Sequence, residues 1–323
     1  MLRKISILAG SILIAVTLLG YMLMRAWDDL ISVLDHLQPV YLAFAIGICL
    51  GAWLLRGVRY QKILQALDVS ITTGFSVACI FVSQTANLIV PARLGDFIRM
   101  LILRHEDRAP YSRGLSSLVV ERVFDIVTVA ILGALAIPFV LNVPPVFLIA
   151  IAIGLAAGAV FFVAIALTGS RTHPNRYIAF LLATLDEVRA ASLNARSVLT
   201  FAAISILIWL FDVLVCVGVV RMLNLEIAFP LVLLAIVIGN LVKAVPITPG
   251  GLGTYEAVMA AALALGGIAP DAAIIVAIID HLIKNLVTAL GGAVSSFYFG
   301  NWVLPMMKQA LAKNLGGGDT VRD

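Results

Sequence analysis

Charge is scarce in this sequence. Asp, Glu, Lys and Arg make up 12% of its 323 residues, and 62% are hydrophobic, against roughly 25% charged and 45–50% apolar in soluble domains. A soluble fold is thereby excluded. The apolar runs are continuous and do not break into short alternating segments, which excludes a transmembrane β-barrel. Cysteine is nearly absent: Cys49, Cys79 and Cys216 lie inside apolar runs without C-x-x-C spacing, and read as small core residues instead of disulfides or metal ligands. Four histidines, scattered along the chain, are too few for a metal centre. No H-E-x-x-H, G-x-S-x-G or P-loop pattern occurs, so no catalytic residue, metal, cofactor or enzymatic role is expected. The net charge of +4 and pI near 9.1 do not call for nucleic acid, because Lys and Arg accumulate in the cytoplasmic loops of membrane proteins.

What remains is an all-α polytopic membrane protein. Arg3 and Lys4 precede an apolar run over 5–24, long enough to span and without a small-x-small cleavage site, so it reads as a retained signal anchor. Full spans are also expected over 39–55, 114–137, 146–168, 198–220 and 271–298. The acidic stretch with Asp28, Asp29 and Asp35 reads as an outer loop. Arg56, Arg59 and Lys62 read as a cytoplasmic flank. Residues 177–193 are amphipathic, with Ile178, Leu181, Leu182, Leu185 and Val188 opposite Asp186, Glu187 and Arg189, and suit an interfacial helix on the cytoplasmic surface. Only Arg25 and Arg221 fall on the outer side, which places the chain in the cytoplasmic membrane with both termini inside. Residues 1–305 form one integral membrane domain, and 306–323 a disordered cytoplasmic tail.

Two stretches break this regularity. Residues 87–104 read NLIVPARLGDFIRMLILR, and 239–255 read GNLVKAVPITPGGLGTY, sharing the pattern P-x-x-L-G at Pro91 and Pro249. Ionisable groups at bilayer depth cost at least a few kcal/mol, and irregular backbone there is tolerated only where protein or a watery cavity surrounds it. Each break therefore predicts a re-entrant hairpin: 72–90 with 94–103, entering from the cytoplasmic side, and 230–245 with 252–265, entering from the outer side. Pro91 lies 30 residues before Glu121 and Pro249 lies 31 before Asp280, which makes the halves an inverted repeat. The expected architecture is six full spans plus two re-entrant hairpins.

The breaks carry the chemistry. Half-helices starting at Leu94 and Leu252 would aim free N–H groups into a cavity, with Gly95, Gly250, Gly251 and Gly253 allowing close approach. That suits a phosphate, and Arg93, Arg99 and Arg122 would add bidentate donors. The bland alternative is mutual neutralisation, with Arg93/Asp96 and Arg122/Asp125 at i,i+3 and Asp280/Lys284 at i,i+4. Five basic groups (Arg93, Arg99, Arg122, Lys243, Lys284) face five acidic ones (Asp96, Glu121, Asp125, Glu256, Asp280), a balanced polar cavity. His281 beside Asp280 reads first as a structural residue and second as a proton shuttle. Asp212, alone in mid-span, has no assigned role.

The motifs NLIVPARLGDFIRM, SSLVVERVFDIV and VPITPGGLGTYEAVM resemble the flippase-like, lysylphosphatidylglycerol-synthase transmembrane-region family across nearly the whole chain. The matching positions are Asn87, Pro91, Arg93, Gly95, Asp96, Arg99, Glu121, Arg122 and Asp125, then Pro246, Pro249, Gly250, Gly251, Gly253 and Glu256. The resemblance implies flipping of a lipid product. It does not extend to aminoacyl transfer, since about 25 residues follow the last expected span.

The expected function is translocation of a polar or phosphate-bearing lipid headgroup, from a phospholipid or a prenyl-phosphate-linked lipid, by alternating access. Arg93, Arg99, Arg122, Gly250 and Gly251 would bind the headgroup. Asn87, Asp96, Glu121, Asp125, Glu256, Asp280 and Lys284 would complete the site, its acids orienting the arginines or coupling protons. The alternatives are an accessory protein partnering a glycosyltransferase or lipid synthase, and an intramembrane headgroup transferase or phosphatase.

Overall fold

The computed structural model describes residues 2–34, 37–89, 93, 95–106, 109–167, 174–245, 247–302 and 305. Their regular structure is helical throughout, in the order α1 (Leu2–Arg25), α2 (Trp27–Leu34), α3 (Pro39–Ala66), α4 (Thr73–Ile89), α5 (Gly95–Glu106), α6 (Tyr111–Ala136), α7 (Pro145–Leu167), α8 (Arg176–Leu193), α9 (Ala195–Met222), α10 (Phe229–Ala244), α11 (Thr254–Ala264) and α12 (Pro270–Tyr298). The all-α reading holds. The expected tail over 306–323 and the positions Pro91, Leu94 and Pro246 lie outside the described residues.

Local chemistry sets many of the boundaries. Proline stands in the first turn of α3, α10 and α12, where its missing N–H costs nothing. Asn175 and Asn194 cap α8 and α9, each side chain accepting two backbone N–H bonds. Four helices, α3, α7, α9 and α12, are long and apolar enough to cross a membrane. Residues 10–25 of α1, together with α4 and α10, form shorter apolar helices. Helix α6 has the length of a span at 26 residues, but carries Arg113, Glu121, Arg122 and Asp125. The fold is that of a membrane protein.

Three expectations need correction. Residues 27–34 form α2 instead of a loop; Asp28 and Asp29 occupy its first turn, where carboxylates complement the helix dipole. Helix α3 does not stop near Leu55 but continues to Ala66, because no proline follows Arg56 within it and its one glycine there, Gly57, is packed closely against Val77 of α4. It thereby draws Arg56 and Arg59 into the helical body. In α8, Glu187 accepts hydrogen bonds from Ser112 and Ser116 of α6 at 2.9 and 2.7 Å, so it faces protein instead of water. Val188 is buried, while Leu181 and Leu185 remain exposed.

The packing pairs the two halves. Helix α3 lies along α9, α4 and α11 pack on α12, and α10 packs on both α11 and α6. The two hairpin-forming pairs, α4–α5 and α10–α11, each bring a short second helix beside the first. Gly95 permits the closest of these approaches: a Cβ there would stand 2.3 Å from the Ser83 carbonyl oxygen and 2.7 Å from the Asn87 nitrogen. Between α10 and α11 a single 3₁₀ turn, Pro249–Gly251, carries the chain.

Candidate functional site

Both breaks adopt left-handed backbone at the same position of the shared pattern. Arg93 has φ 54° and Gly251, its counterpart, has φ 80°. For a non-glycine residue that conformation costs roughly 1–2 kcal/mol, and strain of this kind concentrates where function requires it. At Gly251 a Cβ would also stand 2.9 Å from Cγ of Lys243. The Arg93 guanidinium donates to the backbone carbonyl of Lys243 at 3.2 Å, so the first break reaches across to the helix leading into the second.

A cavity of about 410 Å³ lies between the breaks, within the range of small-molecule sites. Of the expected site residues, Asn87, Arg93, Glu121, Arg122, Asp125, Gly250, Gly251 and Lys284 line it. Gly95, Asp96, Arg99, Gly253, Glu256 and Asp280 do not line it; several of them stand directly behind the wall. Asp96, in the first turn of α5, accepts from Asn87 at 2.9 Å, Gln84 at 3.2 Å and Arg122 at 3.0 Å. The first turn of α5 thus carries a carboxylate of its own. At the second break α11 begins at Thr254, two residues after Leu252, and Gly253 is its cap.

Buried ion pairs frame the cavity. Arg99 is fully buried, donates to Glu121 at 2.8 Å, and lies over the Tyr60 ring. Arg59 grips Asp125 with both terminal nitrogens, at 2.6 and 3.1 Å, and also donates to Ser205 at 2.8 Å. Trp209 donates to the same carboxylate. Arg56 bonds Asp212 at 2.5 Å and stacks over Trp53. Asp212, left without a role by the sequence, is therefore the partner of Arg56. The signal for Arg56, Arg59 and Asp212 was present: the two arginines follow an apolar run with no proline to end its helix, and an intramembrane acid implies a cation somewhere.

The expected local pairs are partly replaced. Asp280 and Lys284 do pair, at 2.8 Å. Arg122 reaches Asp125 only at 3.8 Å and Asp96 at 3.0 Å, because Arg59 occupies Asp125. Arg93 and Asp96 do not pair among the described residues: an i,i+3 contact presupposes helix, and Arg93 is left-handed.

The two halves repeat one local plan. Adjacent residues of a long helix receive side chains from the short helix beside it. In α6, Glu121 meets Arg99 and Arg122 meets Asp96. In α12, Asp280 accepts from the Tyr255 hydroxyl at 2.8 Å, and His281 Nδ1 meets Glu256 at 2.7 Å. His281 Nε2 in turn lies 3.0 Å from Lys243 Nζ.

These contacts change the charge balance. The wall exposes six cations (Arg56, Arg59, Arg93, Arg122, Lys243, Lys284) and three carboxylates (Glu121, Asp125, Asp212). With Arg99, Asp96, Glu256 and Asp280 behind it, seven cations stand against six acids. The surplus has an address: among the described residues, Arg93 and Lys243 have no carboxylate within 4.0 Å. The balanced cavity expected from the sequence is in fact cationic, and its two cations without a direct carboxylate partner sit at the meeting of the breaks.

Comparison with known proteins gives three informative relatives. The chain is 32% identical over 90% of its length to a protein named Glycosyltransferase AglD from Haloferax volcanii, of which it spans 54%. Two proteins from Methanothermobacter thermautotrophicus, each named UPF0104 membrane protein, are 23% and 20% identical over 90% and 91% of the chain, and are themselves covered to 92% and 96%. The chain thus spans about half of the first relative and nearly all of the other two. The similarity to a protein named as a glycosyltransferase overturns the expectation, drawn from missing motifs, that the chain has no enzymatic role. Residues 7–292 match the family described as Lysylphosphatidylglycerol synthase TM region. The chain belongs to that family.

Proposed function

We propose that the cavity receives the anionic headgroup of a membrane lipid and carries it between leaflets, within lipid-linked glycosyl transfer. The observation that carries the reading is the pair Arg93 and Lys243, cations facing one cavity without a carboxylate partner. Desolvated cations at membrane depth are costly unless a partner arrives, and a phosphate supplies both charge and acceptors. Glu121, Asp125 and Asp96 hold Arg122 and Arg59 in place; Gly250 and Gly251 let the ligand approach the backbone. The hairpins enter from opposite faces as an inverted repeat, so that rocking one half against the other exposes the site alternately. The chain sits in the cytoplasmic membrane with both termini inside.

Reconstitution tests this. Liposomes carrying fluorescent phosphatidylglycerol or a fluorescent prenyl-phosphate sugar should show leaflet exchange with the native chain, and a loss of tenfold or more with Arg122→Ala or Arg93→Ala. Undiminished exchange in both variants would refute the assignment.

The relative named as a glycosyltransferase favours a second reading, in which the chain takes part in group transfer to the same headgroup. Mass spectrometry of the lipids after incubation with sugar donors distinguishes the two, since transfer leaves a covalently altered lipid and translocation does not.

A further inference from the structure

The Lys243–His281–Glu256 chain has no task in headgroup binding beyond its lysine, yet all three side chains are placed for proton transfer. Glu256 and His281 are 2% and 1% exposed. Lys243 comes from α10, Glu256 from α11 and His281 from α12, so three elements of the second half converge here. An ammonium can only donate, so His281 Nε2 accepts from Lys243 at 3.0 Å. Nδ1 then carries the ring proton and donates to Glu256 at 2.7 Å. The chain runs from a cavity-facing ammonium to a buried carboxylate without a gap.

From this geometry we infer that the triad carries a proton with the headgroup, making translocation proton-coupled; the inference rests on the translocation reading above. The groups facing the triad are Arg93 at the first break, Tyr255 of α11, Asp280 and Lys284 of α12, and Asp212 of α9. In its resting form the triad is neutral: ammonium, neutral imidazole and carboxylate. One proton taken up from the cavity, onto the imidazole–carboxylate unit, raises it to +1. The cavity already holds a surplus cation at Arg93, so that uptake is disfavoured until an anion arrives. An anionic headgroup therefore promotes proton uptake, and by linkage a bound proton promotes headgroup binding to the same extent. The pair crosses as an electroneutral unit. It separates on the far side, where the proton leaves to water and the headgroup to its leaflet.

The test uses the full chain in liposomes with tail-labelled phosphatidylglycerol, a phosphodiester that does not itself titrate near neutrality. The readout is the steady-state leaflet ratio under an imposed pH difference. A pH effect on rate alone leaves that ratio at one, whereas one-to-one coupling moves it about tenfold per pH unit toward the alkaline side. The expected result is that shift in the native chain, its loss in His281→Asn and Glu256→Gln, and its retention in Glu256→Asp. Exchange that proceeds to equal leaflets whatever the gradient overturns the inference and leaves translocation standing. No exchange of this lipid or of a prenyl-phosphate sugar overturns translocation and the inference together.

Discussion

At the scale of single residues, two kinds of cation are present, and they should behave differently. Arg99 is wholly enclosed and bound to Glu121. Its removal leaves the buried Glu121 carboxylate with only Arg122, 3.7 Å away, so Arg99→Ala should cost about 3 kcal/mol, read as unfolding of detergent-solubilised protein; the double variant with Glu121→Gln should recover part of that loss. Lys243 faces the cavity and has no direct carboxylate partner among the described residues. Lys243→Met removes the bond to His281 at 3.0 Å, so it should cost about 1–3 kcal/mol, less than Arg99→Ala, and weaken anionic-lipid binding at least tenfold. Arg25, in an exposed pair with Asp271, serves as control: Arg25→Ala should change neither. The ionisable residues at the breaks were legible because each is expensive in an apolar run. Their partners were not. Asp96 with Arg122 and Arg59 with Asp125 join different helices, 26 and 66 residues apart in the chain, and only tertiary packing decides between a local i,i+3 neighbour and a more distant one.

At the scale of elements, the turns matter more than the spans. Gly95 lies against the α4 backbone, which cannot retreat as a side chain could. Gly95→Ala should separate α5 from α4 and destabilise by about 1–3 kcal/mol, measurable by the same unfolding transition. The orientation of the two hairpins is testable by labelling. In a background without Cys49, Cys79 and Cys216, Glu106→Cys at the end of α5 and Ala269→Cys beyond α11 should react with a membrane-impermeant maleimide from opposite faces. Reaction from one face would remove the inverted arrangement. Helix periodicity and breakers made nearly every element legible. Helix α2 was missed because its charges suggested a loop, and the end of α3 because Arg56 was taken for a flank. In both cases charge was read as solvent, whereas a helix dipole in one and a buried acid in the other satisfied it.

At the scale of the whole molecule, the two halves share a plan that the repeated P-x-x-L-G only hinted at: a left-handed break, a short helix, and a long helix whose adjacent residues receive that short helix's side chains. The Asp96–Arg122 and Glu256–His281 contacts are its two instances. Where the halves meet, charge is left over. A membrane protein holds surplus positive charge at depth only if something neutralises it, and the partner we propose is a lipid phosphate between Arg93 and Lys243. The most direct measurement is a cryo-electron microscopy structure of the chain in nanodiscs of phosphatidylglycerol, compared with Lys243→Met. Headgroup density within hydrogen-bonding reach of Arg93 and Lys243, lost in the variant, is the predicted result. A cavity holding only water in both, with headgroups confined to the outer helical surface, would contradict it.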